Sequence, residues 1–211
     1  MKNVDLILIL IIKMITQIDK NDKLNEQRNS LIITYPRTVN IIFGNYPYPE
    51  YIHQFIMEIK NNLNPEMENY TNVKGGMTDW NYFLNNQNFK KFLSYLINKH
   101  QLTHPGIFEY FFEKYLLQNA WGNEIKKGDS LDFHTHPNLH GILYLTKGCD
   151  LLLPELNLKI TPYPGDYYIF PTEISHGFNS SQDEQNRYSL IFNIQQGEKF
   201  KFDKKINDLN V

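Results

Sequence analysis

From Gln118 to Phe202 the chain breaks into short stretches of β-forming residues, each closed by Gly, Pro, Asn or Asp, and this pattern limits the fold more than any other feature. Eight candidate strands stand out: Gln118 to Ile125, Ser130 to Thr135, Leu139 to Thr146, Asp150 to Leu153, Leu156 to Ile160, Asp166 to Phe170, Tyr188 to Ile194 and Lys199 to Phe202. Seven or eight strands so punctuated describe a jelly roll of two packed sheets.

Upstream the period is helical. Pro49 opens a helix whose Tyr51, Ile52, Phe55, Ile56, Ile59 and Leu63 follow a 3.6-residue spacing, and Asn64-Pro65 stops it. A second helix, about Asn88 to His100, puts Phe89, Phe92, Leu93, Leu96 and Ile97 on one face. The aromatic-rich patch Ile107 to Leu117 continues this layer toward a strand. Short strands are expected around Pro36, between Leu31 and Phe43, and a turn at Gly75-Gly76. Helices first and strands later predict an α+β domain: a double-stranded β-helix of about eight strands, buttressed on one sheet by N-terminal helices. The expected boundaries are an extension and linker at 1–30, the domain at 31–203 and a short tail at 204–211.

Composition narrows the partners. With 211 residues and 41% hydrophobic content, the chain can bury one sizeable core. A net charge of -2 without a basic stripe gives no reason to expect nucleic acid or an anionic membrane as partner. The single Cys149 excludes an internal disulfide, fits a reducing, cytoplasmic setting, and reads as structural. Leu6 to Ile12 is apolar but far short of the roughly 20 residues a spanning helix needs, and it lacks a small-residue cleavage site. It is expected to pack on the domain. His53, His100 and His104 read as helix histidines at the surface or partly buried, and the sequons at Asn69 and Asn179 carry little weight in so Asn-rich a chain.

Four of the seven histidines fall in two pieces, GDSLDFHTHPNLHGILY from Gly128 and GDYYIFPTEISH from Gly165. On an extended chain the side chains of His134 and His136 point to one face and can reach one ion. A third ligand must come from elsewhere. His176 follows after enough chain for a strand, a turn and a return strand. Imidazole suits Fe, Zn, Cu or Ni rather than Mg or Ca. Three protein ligands on one face leave room for a bidentate cosubstrate and dioxygen. Asp132, in phase with His134, offers a carboxylate to orient an imidazole. His140 is open between a fourth ligand, a hydrogen-bonding neighbour and a residue on the other face of its sheet. Arg187, at the head of a strand, would look into the barrel near the metal and bind a carboxylate through a two-point fork, with the hydroxyl of Ser189 beside it.

With these residues in hand, the chain resembles the 2-oxoglutarate/Fe(II)-dependent oxygenase superfamily, and within it the small bacterial and viral members akin to prolyl 4-hydroxylase catalytic domains. The resemblance runs from Pro36 to Ile194. It rests on NVKGGMTDW at 72–80, AWGN at 120–123, KGDSLDFHTHPN at 127–138, GILYL at 141–145, PGDYYIFP at 164–171, His176 and RYSLIFNI at 187–194. It implies Fe(II), 2-oxoglutarate and O2 as cofactor and cosubstrates, decarboxylation to succinate, and hydroxylation of an unidentified prime substrate. His134 and His176 match the first and last iron ligands, and Arg187 matches the residue that pairs with the C5 carboxylate. Ser189, Tyr144 and Asn123 join it in the cosubstrate pocket. His136 stands where the superfamily usually has Asp or Glu, and His140 where such relatives tend to have Ser.

Two rival readings keep the barrel and change the chemistry. A cupin would use Gly128, His134 and His136 as G-x5-H-x-H and Gly165 with Pro171 as G-x5-P, binding metal without 2-oxoglutarate. It lacks the expected Glu at His140 and has no need of Arg187. The second rival is a non-catalytic jelly roll, which would hold no metal. Trp80, Trp121, Tyr144 and Tyr168 are candidate pocket walls, with core packing the equal alternative.

Overall fold

Alternation along the strands sorts side chains onto two faces, and in this protein the outer face of the larger sheet is apolar because helices cover it, while the inner face mixes apolar and polar side chains. The computed structural model describes residues 12–13, 38–39, 41–69, 71–103, 115–136, 139–171 and 173–196. In chain order the elements are β1 (Ile12–Lys13), β2 (Thr38–Val39), β3 (Ile42–Asn45), α1 (Pro49–Asn61), β4 (Val73–Lys74), β5 (Gly76–Met77), α2 (Gln87–Thr103), β6 (Tyr115–Ile125), β7 (Ser130–His134), β8 (Leu139–Tyr144), β9 (Leu151–Leu153), β10 (Leu158–Ile160), β11 (Asp166–Pro171), β12 (His176–Phe178) and β13 (Arg187–Gln196).

The strands form a six-stranded sheet of order β3-β11-β8-β13-β6-β5 and a five-stranded sheet of order β10-β9-β12-β7-β4, and among the described residues β1 and β2 form a separate pair. Every pairing is antiparallel. From β6 to β13 the chain winds between the two sheets as a jelly roll. On the outer face of the six-stranded sheet, Leu143, Tyr167, Leu190, Phe192 and Ile194 pack against Phe55 and Ile59 of α1 and Phe89, Phe92, Leu93 and Leu96 of α2. Burying each of these helix side chains contributes about 1.5–3 kcal/mol. The inner face presents Ile142, Tyr144 and Phe170 to Leu151, Leu153 and Ile160 of the smaller sheet. The α+β jelly roll buttressed by helices is therefore the observed fold.

Both helices begin where expected, for readable reasons. Pro49 occupies the first turn of α1, where its missing N–H costs nothing. The side-chain oxygen of Asn86 accepts from the backbone N–H groups of Asn88 at 2.9 Å and Phe89 at 3.0 Å, capping α2.

Three local expectations need correction. Gly75-Gly76 is more than a turn: β4 and β5 flank Gly75, and the chain there crosses from one sheet to the other. A Cβ on Gly75 would lie 2.8 Å from the carbonyl oxygen of Glu124, so only glycine fits. The stretch Leu156 to Ile160 is split, since Pro154–Leu156 forms a 3-10 turn and Asn157 is left-handed at φ 48, so the strand starts at Leu158. The strand β12 was not expected; three residues containing a glycine show no periodicity. The run from Leu6, the linker 19–29, the patch from Ile107, His104, the strand at 199–202 and the tail 204–211 lie wholly or largely outside the described residues. Among those residues, no helix is long and apolar enough to cross a membrane.

Candidate metal centre

The β7–β12 ladder brings the two distant histidines together, because His134 and His176 are direct partners in its register. Their ring centroids lie 4.5 Å apart. His136 lies past the end of β7, and its Nε2 comes within 3.1 Å of His134 Nε2. One nitrogen from each of His134, His136 and His176 can be chosen so that all three lie within 4.8 Å of one another. Two imidazole nitrogens each about 2.1 Å from one ion, at a right angle, would be about 3.0 Å apart, so the His134 to His136 spacing fits shared coordination.

Protonation fits as well. His134 donates from Nδ1 to the carbonyl oxygen of Asp132 at 2.7 Å, and His176 from Nδ1 to that of Ile174 at 3.2 Å. Both tautomers therefore leave Nε2 as the lone-pair nitrogen, the arrangement in which carbonyls orient metal ligands. It is the Asp132 backbone, not its exposed carboxylate, that does the orienting. Burial, followed by the neighbouring His134, lowers His136 to about 4 and His176 to about 3, and burial also lowers His134. All three are neutral imidazoles at physiological pH, the form that binds metal.

The inner face of the larger sheet carries three cross-strand rows, and the pocket floor is made by His140 of the first together with the second and third. Asn119, Asn193 and His140 are register partners at the metal end. Trp121, Ile191 and Ile142 form the next row, and Asn123, Ser189 and Tyr144 the third, with Arg187 beyond them. Polar, apolar and polar rows thus follow one another at the roughly 6.6–6.8 Å spacing of alternate strand residues. The pocket measures about 380 Å³ including its open mouth, and among the described residues no Asp or Glu lines it.

Five buried side-chain polar atoms among the described residues have no hydrogen-bond partner. Four belong to this pocket: Trp121 Nε1, Asn123 Oδ1, Tyr144 Oη and Arg187 Nε. Such atoms are costly unless something polar meets them, so the pocket is built for a polar guest. Arg187, 4% exposed, donates from Nη1 to the Cys149 carbonyl at 2.9 Å and lies 4.4 Å over the Phe178 ring.

His134, His136, His176, Arg187, Ser189, Tyr144 and Asn123 thus all line one pocket. Among the aromatics, Trp121 and Tyr144 line it as well. Tyr168 packs against the inner core, and Trp80 is 36% exposed with its edge against Trp121. His140, left open by the sequence, faces the pocket. Asn193 and the indole N–H of Trp121 were missed. All three share strand parity with residues already assigned to the pocket, and that signal was available. His100 is fully buried and pairs with Tyr167 at 2.9 Å, away from the site.

No family model and no curated protein matches the chain. Solved structures do. The viral collagen prolyl hydroxylase of Paramecium Bursaria Chlorella virus-1, in its 2-oxoglutarate complex, aligns with a TM-score of 0.56 at 13% identity, covering 74% of this chain and 95% of that one. A Pseudomonas putida prolyl-4-hydroxylase gives 0.55 at 14% identity, covering 74% and 92%. HygX of Streptomyces hygroscopicus, with nickel and 2-oxoglutarate bound, gives 0.55 at 12% identity, covering 81% and 89%. The chain shares the fold of these oxygenase structures.

Proposed function

We propose that the chain is an Fe(II)- and 2-oxoglutarate-dependent dioxygenase that hydroxylates a substrate C–H bond while 2-oxoglutarate is decarboxylated to succinate. The observation that carries this reading is the pocket itself, in which three neutral imidazoles and a guanidinium converge with no carboxylate among the described lining residues. An ion held by His134, His136 and His176 keeps its full charge, and Arg187 adds another. The guest should be a dianion.

The order of the rows supports which dianion. A keto-acid end near the metal, two methylenes and a far carboxylate match the polar, apolar and polar sequence of the floor. Ile142 and Ile191 would flank the methylenes. Arg187 Nε and one of the Tyr144 and Ser189 hydroxyls would donate to the far carboxylate, and the other hydroxyl would donate to Asn123 Oδ1. Iron, when bound, supplies the redox chemistry that joins dioxygen to the substrate. The protein's share is to orient the cosubstrate and exclude water from the inner pocket. Structural relatives crystallised with 2-oxoglutarate support the choice of cosubstrate.

The test is an anaerobic titration with Fe(II) and 2-oxoglutarate, followed by optical absorption and then by succinate release in air. A metal-to-ligand charge-transfer band and slow succinate formation without prime substrate are expected. Metal binding without band or succinate would favour the cupin-type reading. No metal uptake would leave a binding module.

A further inference from the structure

We propose that His140, held in place by Asn193, is a positioning residue for the metal-binding imidazoles, and for His136 above all. The inference rests on the metal reading of His134, His136 and His176. His140 is not one of the three that bring their nitrogens together, yet its ring lies against two of them. It stacks on His136 with centroids 4.3 Å apart and planes 9° from parallel, and it meets His176 at 4.6 Å.

His136 is the ligand in need of such support. His134 and His176 sit in the β7–β12 ladder and are turned by carbonyls two residues before them. His136 lies beyond the last residue of β7, so strand geometry does not fix its side chain. A parallel ring at van der Waals distance does.

His140 itself is immobile for clear reasons. It is 3% exposed within β8, with Phe170 at 5.4 Å and Trp121 at 6.4 Å between ring centroids. Its Nδ1 donates to Asn193 Oδ1 at 2.8 Å, and the two residues are register partners across β8 and β13. Burying two polar side chains in a sheet floor is costly where two aliphatic ones would pack without penalty. Here they satisfy each other beside a metal centre, where a hydrogen-bonded layer behind the ligands sets their orientation. Asn193 fixes the His140 tautomer and ring plane, and the ring plane of His140 fixes that of His136.

Cobalt(II) titration of the full chain, read by its visible d–d absorption, tests this without turnover. Removing such support weakens metal binding by about 10- to 100-fold. His140→Ala should show that loss together with altered d–d bands. Asn193→Ala, which keeps the ring but frees its plane, should alter the bands with a smaller loss of affinity. His140→Phe combined with Asn193→Leu, which restores a flat ring without buried polar atoms, should recover most of the affinity. Circular dichroism and melting confirm folding; if His140→Ala does not fold, the other two variants decide. Wild-type affinity and bands in His140→Ala, or in Asn193→Ala where the former does not fold, would overturn the inference alone. Failure of the wild type to bind cobalt would overturn the metal reading, and this inference with it.

Discussion

Arg187 donates from Nη1 to the carbonyl of Cys149 at 2.9 Å, while its buried Nε has no partner among the described residues. One edge of the guanidinium is committed to the fold and another faces the pocket, so the side chain is oriented before anything binds. Pre-orientation of this kind lowers the entropy cost of binding. Arg187→Ala is expected to raise the KM for 2-oxoglutarate by roughly a hundredfold, since truncating one partner of a buried charged pair costs about 2–5 kcal/mol. Arg187→Lys should fall between, keeping the charge without the planar fork. Succinate formation against cosubstrate concentration checks both, and equal KM values would remove the guanidinium from the site.

A second handle on the same residue lies at Gly148. A Cβ there would sit 2.6 Å from Arg187 Cβ and 2.9 Å from its Cγ, at the stiff end of the side chain. Gly148→Ala must therefore move Arg187. Overpacking of this size costs about 1–3 kcal/mol, and cosubstrate affinity should drop by about tenfold with cobalt affinity unchanged. Calorimetric titration with 2-oxoglutarate and with cobalt separates the two. A parallel fall in both would mean that the change spreads through the fold.

With no carboxylate among the described lining residues, metal and anion are expected to depend on each other. Each site loaded to a hundred times its Kd should add about 2.7 kcal/mol of stability, and their joint effect should exceed the sum of the separate ones because each relieves the other's charge. Thermal melts with cobalt, with 2-oxoglutarate and with both give the comparison. His176→Ala should abolish the cobalt shift and most of the shift from 2-oxoglutarate. Strictly additive shifts would contradict a shared site.

Much of this was legible because strands have a period of two. Arg187 and Ser189 on one strand and Tyr144 on the next were assigned to a pocket from sequence, and parity then carries Ile191 and Asn193, and Ile142 and His140, onto the same face. The return of His176 was legible as a spacing but not as a strand, since His176, Gly177 and Phe178 are too few to show alternation. What could not be read was register. Nothing local says that His134 opposes His176, or that Asn119, Asn193 and His140 share a row. Those facts come from pairing between strands distant in the chain, with Gly75 where the chain passes between the sheets and Gly177 where β12 approaches β7 closely. A Cβ on Gly177 would lie 2.7 Å from the Leu131 carbonyl. The orienting role of the Asp132 carbonyl was hidden for a related reason: sequence shows side chains, and here the backbone acts.

Glu124, at the other end of the sheet, adds a pH dependence of its own to that of the buried histidines. Burial would raise its carboxyl, but hydrogen bonds from the Tyr188 hydroxyl, Lys126 and the Asn186 amide hold it below the ordinary value. Tyr188 is pushed up to about 12 by its own burial and by Glu124, and so stays a donor throughout. A carboxyl whose pKa is lower in the folded state stabilises above its unfolded pKa of about 4.3, and that contribution disappears as pH falls through the folded value. Urea midpoints of the wild type should therefore drop on acidification below about pH 4.3, beyond any loss shared with a Glu124→Gln variant. At pH 7 Glu124→Gln and Tyr188→Phe should each lose about 1–3 kcal/mol, because the first replaces a charged acceptor with a neutral one and the second removes the hydroxyl that donates to it. Their double variant should lose less than the sum, since the two residues share one hydrogen bond. If Glu124→Gln follows the wild-type slope down to pH 3, the acid sensitivity of the fold arises elsewhere.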